Sequence, residues 1–475
     1  MRDESATSLF LGHLFEKPKG RVVLRFEEGT LVLQGDRIEE SVGHLSFLLY
    51  DERIQAYRSE ALFYRHLLGD LLRAGLEVLD KARKYSEEER PLFDSFKPFE
   101  HQSQGLKAWE DGEKRGIVVL PTGAGKSYLA ALAIERARRS TLVIVPTLDL
   151  LNQWGGNLER SFRCPIGMLG GGVHELQSIT VSTYDSAAIH MPRYGDRFGL
   201  LIFDEVHHLP GEMYSQAARL GIAPFRLGLT ATPERADGKE RDLDELVGPI
   251  LYRRSIKELA GTILADYEVR TIEIAMNATD RESYEEERKI YRDFVESKRI
   301  RLGGAQGWRR FLAATSQSDE GRRAFKAHRA QKRLALVHEE KLGVLYDLLH
   351  SHKEERILIF TNDNASVYKI SERLLCPSIT HETGIKERRA ILDHFRKGKV
   401  RILVTSKVLN EGVDIPEASI AIILAGSGSV REHVQRLGRI LRKQEGKKAL
   451  LYELVTSDSV EGHVSQRRRE HDAYQ

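Results

Sequence analysis

The stretch that most limits what this chain can become is Pro121-Thr122-Gly123-Ala124-Gly125-Lys126-Ser127. The apolar run Ile117-Val118-Val119-Leu120 leads into it, and Tyr128 to Glu135 behind it reads as a helix. A strand, a glycine turn and a helix start are the parts of a phosphate-binding loop, and they commit this region to βαβ architecture. Gly123 and Gly125 let the backbone approach a polyphosphate, with successive N–H groups of the Thr122–Ala124 turn pointing into the anion. Lys126 adds a point charge suited to the β- and γ-phosphates, and Ser127 a hydroxyl for Mg2+. The strict eight-residue motif would carry glycine where Leu120 stands, so this is its shorter variant. The pattern implies that a nucleoside triphosphate binds here; the bland alternative is a glycine turn before a helix.

The rest of the chain repeats the grammar of that loop. From about residue 96, short apolar runs alternate with helical segments: Ile117–Leu120, Thr141–Val145, Ile179–Thr183, Leu200–Phe203 and Arg226–Leu229. It returns in Arg356–Phe360, Ile379–His381, Val400–Thr405, Ser419–Leu424 and Ala449–Leu454. Such alternation predicts two α/β lobes, each a parallel sheet flanked by helices, with the phosphate loop in the first. Between them, residues 280–336 are dense in Arg, Lys and Glu. Tyr284, Tyr291, Phe294, Phe311 and Phe325 occur there at helix-compatible spacings, which predicts a helical insertion. Before the lobes, Val22–Phe26 and Thr30–Leu33 flank Glu27-Glu28-Gly29 as a β-hairpin. A helix over Glu60–Ala74 and a strand at Leu76–Leu79 then complete a small α/β module of its own. The charged segment Arg83–Arg90 is helix-prone and ends in a linker near Pro91 and Pro98.

A chain of 475 residues with 41% hydrophobic and 30% charged residues suits several globular domains. Its net charge of +3 means that any nucleic-acid surface must come from local clustering. Cys164 and Cys376 are too few and too far apart for a zinc or iron–sulfur site or a disulfide framework. No apolar run approaches the roughly 20 residues of a membrane helix. These features lead us to expect a soluble, cytoplasmic protein.

Chemistry gathers at the strand ends. Asp204, after Leu200-Leu201-Ile202-Phe203, is placed to hold Mg2+ beside the phosphates together with Ser127, and Glu205 to polarise the attacking water. An acidic pair at a helix start is the alternative. His207 and His208 lack a third ligand at metal spacing and are read as structural or coupling residues. Thr230 and Thr232 follow the next strand and are candidates to bond back to the Asp204 region, against a plain hydroxyl turn closed by Pro233. Thr147 and Thr183 also end strands, where hydroxyls and N–H groups suit the phosphates of a polymer. Thr361 and Thr405 in the second lobe complete this nucleic-acid or coupling set. In Gln435 to Arg442, Gln435, Arg439 and Arg442 share a helix face suited to a γ-phosphate across a cleft, the arrangement of an arginine finger. A solvated basic helix is the alternative, opposed by Gly438 and by the lack of interleaved acids.

Taken together, these residues resemble the superfamily 2 helicases and translocases, and within them the XPB family in its short archaeal-type form. The likeness is carried by Leu120–Ser127, Val145–Leu148, Val181–Ala187, Leu201–Pro210, Ala223–Thr232, Val408–Asp414, Gly426–Ser429 and Gln435–Arg442. Asp204-Glu205-Val206-His207-His208-Leu209-Pro210 is specific well beyond the superfamily. The resemblance implies two RecA-like lobes, a damage-recognition-like module and a thumb-like insertion that grips DNA. The expected limits are 1–20 (arm), 21–90 (module), 91–265 (first lobe), 280–336 (thumb), 337–460 (second lobe) and 461–475 (basic tail).

By the same resemblance, Gln102 reads the adenine edge, although Pro98, Phe99 and His101 replace the family's usual flanking residues. Glu411, Gly412 and Asp414 join ATP, second lobe and nucleic acid. Trp308, Arg309 and Arg310 suit a DNA grip, against a surface helix with core aromatics. The family usually carries Arg-Glu-Asp where this chain has Arg235-Ala236-Asp237, a motif implicated in strand separation. The expected activity is therefore ATP-dependent, 3′-to-5′ movement on duplex or forked DNA with weak unwinding, in repair or transcription-linked DNA opening. ATP and Mg2+ are the cofactors, a nuclease or repair assembly is the class of protein partner, and the nucleoid is the expected location. Two alternatives stand beside it: an RNA helicase of the same superfamily, and an ATP-switched DNA-binding scaffold that positions a nuclease.

Overall fold

A computed structural model describes residues 20–93, 96–235, 237–302, 304–406, 418–424, 448–459 and 461. The chain forms two compact units, Met1–Leu120 with Gly125–Arg254, and Pro121–Ala124 with Ser255–Gln475.

The first unit begins with β1 (Arg21–Glu27) and β2 (Thr30–Gly35), paired antiparallel around a turn in which Glu28 and Gly29 have φ of 46° and 82°. Two left-handed residues give the turn whose twist matches a hairpin, and glycine meets the second position at no steric cost. With β3 (Leu49–Asp51), β4 (Ala56–Glu60) and β5 (Glu77–Asp80) they make a sheet ordered β3-β4-β2-β1-β5. The helix Tyr64–Arg73 lays Tyr64, Leu67 and Leu71 against Val22, Leu24 and Leu33 of this sheet. The module does not stand by itself. Ile222 is buried in its core, Arg219 pairs with Glu60 at 2.8 Å, and a Cβ on Gly29 would fall 2.8 Å from Leu220. Arg83–Arg90 is not helical. Ser86 accepts from the N–H of Ser140, and Glu88 donates to Arg138 O, so extended backbone pairing outside the segment overrides its local propensity.

The first lobe contains β6 (Arg115–Val119), β7 (Thr141–Val145), β8 (Gly167–Gly170), β9 (Val173–Glu175), β10 (Ile179–Thr183), β11 (Leu200–Asp204), β12 (Phe225–Thr230) and β13 (Ile250–Arg253). Their order is β13-β6-β12-β11-β7-β10-β8-β9, parallel throughout except for β8 with β9. Every residue of β7, β10 and β11 is buried, as befits strands covered on both faces. Arg226 in β12 is fully buried and spends its guanidinium on the carbonyls of Ala218, Gly221, Ala223 and Leu246. It thereby donates to four backbone carbonyls, which compensates the burial of its own charge-bearing group.

The second unit holds β14 (Asp266–Ile274), β15 (Ile357–Phe360), β16 (Ser378–Ile379), β17 (Ile402–Thr405), β18 (Ile420–Ile423) and β19 (Lys448–Thr456), ordered β14-β19-β18-β15-β17-β16 with parallel pairs. β14 lies in the interval 266–279 that the sequence left with neither lobe. It pairs along its whole length with β19, from Asp266–Lys448 to Ile274–Thr456. The insertion comprises the helices Ala278–Ser297, Gly304–Ser316 and Asp319–Leu336. Phe294, Phe311 and Ala324 form one small core there, and Met276, Tyr284 and Ala335 another.

Candidate functional site

β6 runs into the glycine turn, and the helix Lys126–Ala137 starts on Gly125. Gly123 and Gly125 have φ of 89° and 78°, the left-handed region that glycine occupies freely. A second constraint falls on Gly125, since a Cβ there would lie 2.2 Å from Gln102 Nε2. Gln102 is buried; its Oε1 accepts from Phe99 N at 2.9 Å and its Nε2 donates to Gly125 O at 3.2 Å. This amide ties the start of its own helix to the phosphate loop. Beside it lies a cavity of about 520 Å3 lined by Phe96, Phe99, Gln102, Ser127, Tyr128 and Trp154, with Tyr128 Oη donating to Phe96 O. Lys126 Nζ donates to Leu120 O at 3.2 Å, and Thr122 Oγ1 is buried without a hydrogen-bond partner.

Asp204 ends β11, with β12 between it and β6, so Thr230 at the end of β12 stands between acid and loop in the sheet order. Asp204 Oδ2 accepts from Trp154 Nε1 at 2.8 Å, and Oδ1 accepts from Glu205 N at 3.1 Å. Tyr184 Oη donates to the Asp204 carbonyl at 3.0 Å. Burial, then the neighbouring Glu205 charge, push the Asp204 carboxyl up to about 6, against the opposing pull of Lys126 and the Trp154 bond. Glu205 sits at φ 48°, uncommon for a residue with a side chain, and its Oε2 is buried without a hydrogen-bond partner. Unpaired buried oxygens at Thr122 and Glu205, glycine backbone at positive φ and a lysine held by a carbonyl of its own loop fit a ligand rich in phosphate with an attached water.

The hydroxyl residues after β12 form a chain of contacts. Thr230 Oγ1 donates to Thr232 O at 3.0 Å and lies 3.0 Å from His207 Nδ1. Its single proton is thus engaged, and His207 donates to it. His207 Nδ1 is also 3.6 Å from Glu205 Oε2, and Arg235 donates to His207 O while gripping Asp237 at 2.7 and 2.8 Å. The link from the strand end therefore reaches Glu205 and Arg235 through His207, rather than Asp204 directly.

Thr147 and Thr183 cap the helices Leu148–Phe162 and Tyr184–Tyr194, accepting from Leu150 N and Ser186 N at 3.3 Å. Thr361 and Thr405 lie at the ends of β15 and β17. Both are fully buried, and their hydroxyls donate to Asp363 O and to Ile379 O and Ser406 O. Their hydroxyls tie the strand ends to the loops that follow. Trp308 is 38% exposed and stacks on Phe311 at 5.1 Å, while Arg309 and Arg310 on its helix are exposed. Ala236, Glu411, Gly412, Asp414, Gln435, Arg439 and Arg442 lie outside the described residues.

Trp154, Tyr184, Phe96 and Tyr128 escaped the sequence reading. Trp154 lies 50 positions from Asp204, and nothing in local spacing links them.

Three family models match: "Type III restriction enzyme, res subunit" over residues 95–235, "ERCC3/RAD25/XPB C-terminal helicase" over 322–474, and "Xeroderma pigmentosum group B helicase damage recognition domain" over 24–82. Among curated relatives, the "DNA 3'-5' translocase XPB2" of Sulfurisphaera tokodaii is 40% identical over 450 residues, covering 94% of this chain and 100% of that protein. The "DNA 3'-5' helicase XPB" of Mycobacterium tuberculosis is 32% identical over 76% of this chain, which spans only 61% of that longer protein. The Pyrococcus furiosus Hef helicase domain is similar in fold, with a TM-score of 0.50 at 17% identity over 78% of this chain and 98% of that one.

Proposed function

Since the chain belongs to the XPB family of DNA 3′–5′ helicases and translocases, we propose that it turns ATP hydrolysis into movement along duplex DNA with 3′-to-5′ polarity. The observation that carries the chemistry is the pairing of a glycine loop after β6 with an Asp204–Glu205 acid pair ending β11, both at the carboxyl edge of one parallel sheet.

Lys126 and the backbone N–H groups of 122–127 take the phosphates, and Ser127 and Asp204 supply oxygens for Mg2+. Bound Mg2+ neutralises phosphate charge. Asp204, whose ionised form burial opposes, would hold that cation as a carboxylate. Glu205, its Oε2 unpaired and close to His207, orients the attacking water. Arg439 and Arg442, with Gln435, complete the site from the second lobe in the manner of an arginine finger, and Gly412 and Asp414 link it to the nucleic acid. The insertion with Trp308, Arg309 and Arg310 grips DNA, and the N-terminal module recognises distorted duplex. The protein partner belongs to a nuclease or repair assembly.

Displacement of a triplex-forming strand from duplex DNA, read alongside duplex-stimulated ATPase activity, tests this. Wild type should displace the strand only with hydrolysable ATP, and Lys126→Ala should abolish both activities. ATPase stimulated by RNA and not by DNA would replace the reading with an RNA helicase. ATP binding without directional displacement would replace it with a switched scaffold.

A further inference from the structure

At the base of the helical insertion, side chains from two helix starts converge. Asp280 lies in the first turn of Ala278–Ser297, while His338 and Glu340 flank the start of the helix Glu339–Ser351. One donor atom from each lies within 4.8 Å of the others, and His338 Nδ1 is 3.2 Å from Glu340 Oε2. His338 is 3% exposed.

The direction of the hydrogen bonds makes this contact unusual. Thr456 Oγ1 donates its only proton to Ala335 O at 2.5 Å. Its 3.1 Å contact with His338 Nε2 must therefore be made by an Nε2–H, and Lys341 Nζ donates to the same hydroxyl at 3.4 Å. With the proton on Nε2, Nδ1 presents a lone pair, and it faces a carboxylate oxygen that carries only lone pairs too. Two acceptors at that distance repel unless a cation lies between them. Asn277 donates to Asp280 Oδ2 at 3.0 Å and also bonds Glu340, so both carboxylates are held in place. Lys341 is itself paired with Glu461 at 2.6 Å.

We propose that His338 Nδ1, Asp280 and Glu340 form a site for a divalent transition metal of the Zn2+ or Mn2+ class, tying both ends of the helical insertion to the second sheet. One neutral imidazole and two carboxylates suit such an ion, whereas Mg2+ prefers oxygen alone. Bonds of about 2.0–2.1 Å place tetrahedral ligands roughly 3.3 Å apart, close to the separation Nδ1 and Oε2 already have. Thr456 fixes the tautomer from behind, the usual role of an outer partner to a ligating histidine. Because Thr456 ends β19 and Ala335 lies in the last turn of the insertion, the ion would fasten helix and sheet at one point.

The full chain, stripped with chelator and free of nucleotide, is titrated with Zn2+ by equilibrium dialysis and with Co2+ by absorption spectroscopy. A single tight Zn2+ per chain and a Co2+ spectrum showing nitrogen coordination are expected. His338→Gln and Asp280→Asn should each weaken binding by about tenfold or more while leaving ATPase activity and circular dichroism unchanged. Wild type that takes up no metal, or variants that bind as tightly as wild type, would overturn the site. The wild-type titration decides the matter even if a variant fails to fold.

Discussion

Glu205 carries two local costs, a left-handed backbone and a buried carboxylate oxygen with no hydrogen-bond partner. Strain of this kind is worth about 1–3 kcal/mol and persists only where neighbours over-determine it. Here Glu205 N donates to Asp204 Oδ1 and Glu205 O accepts from His208 N, so the residue is held between the acid before it and the short turn after it. Glu205→Gln keeps size and backbone but removes the charge that draws a proton from water. ATP should still bind, while steady-state turnover falls by about 10²–10⁴-fold. Filter binding beside a phosphate-release assay reads both, and turnover near wild type would remove Glu205 from its role. Trp154 offers an independent check on the same site. Trp154→Phe retains the buried ring but takes away the donor to Asp204 Oδ2. An unsatisfied charged acceptor costs about 1–3 kcal/mol, so Mg2+–ATP affinity measured by calorimetry should shift by roughly 5- to 150-fold. Unchanged affinity would mean that the indole bond does not position Asp204.

Within the helical insertion, one titratable group sets a pH dependence. His328 packs against Tyr291, Trp308 and Phe311 at 4.7, 5.1 and 5.8 Å, and burial followed by the Lys332 charge brings it down to about 4. A base whose folded value lies below its unfolded one binds protons more readily when unfolded. The insertion is therefore most stable above pH 6.5 and loses stability progressively as pH falls toward about 4. Amide exchange in 304–336 should accelerate between pH 7 and 5 relative to the second sheet, after correction for intrinsic rates. His328→Phe should flatten that dependence, and an equal slope in the variant would assign the effect to other groups. The elements were legible where local pattern and burial coincide. β7, β10 and β11 are apolar runs buried on both faces, and the glycine loop has its own signature. The hairpin of β8 and β9 was missed because Gly167 and Gly170 bound the first strand and Val-His-Glu makes the exposed second. β14 was missed because its alternation is weak and its partner, β19, lies more than 170 residues away. Trp154, Tyr184 and the Arg226 carbonyl cradle were invisible for the same reason: their partners are brought near only by the fold.

On the scale of the whole molecule, a net charge of +3 leaves little long-range attraction for DNA, so the work depends on coupling between the nucleotide and local grips. A contiguous link begins at Glu205, passes through His207 to Thr230, and reaches Arg235, which donates to His207 O and holds Asp237 in a bidentate pair. That pair keeps the Asp237 carboxyl well below the ordinary carboxylate range, first through the Arg235 hydrogen bond. Arg235 and Asp237 thus neutralise each other, and the residue between them in sequence carries no charge. It is alanine here, whereas the resemblance implies glutamate in most of the family. Movement along duplex needs only the cycle at the nucleotide, while strand separation needs something to part the strands as the protein advances. Ala236→Glu should therefore raise unwinding of a forked duplex without altering duplex-stimulated ATPase activity or triplex displacement. If all three activities rise together, the substitution acts on the nucleotide cycle through His207. If none changes, weak unwinding has its origin elsewhere, and the carboxylate is not what separates a translocase from a helicase in this chain.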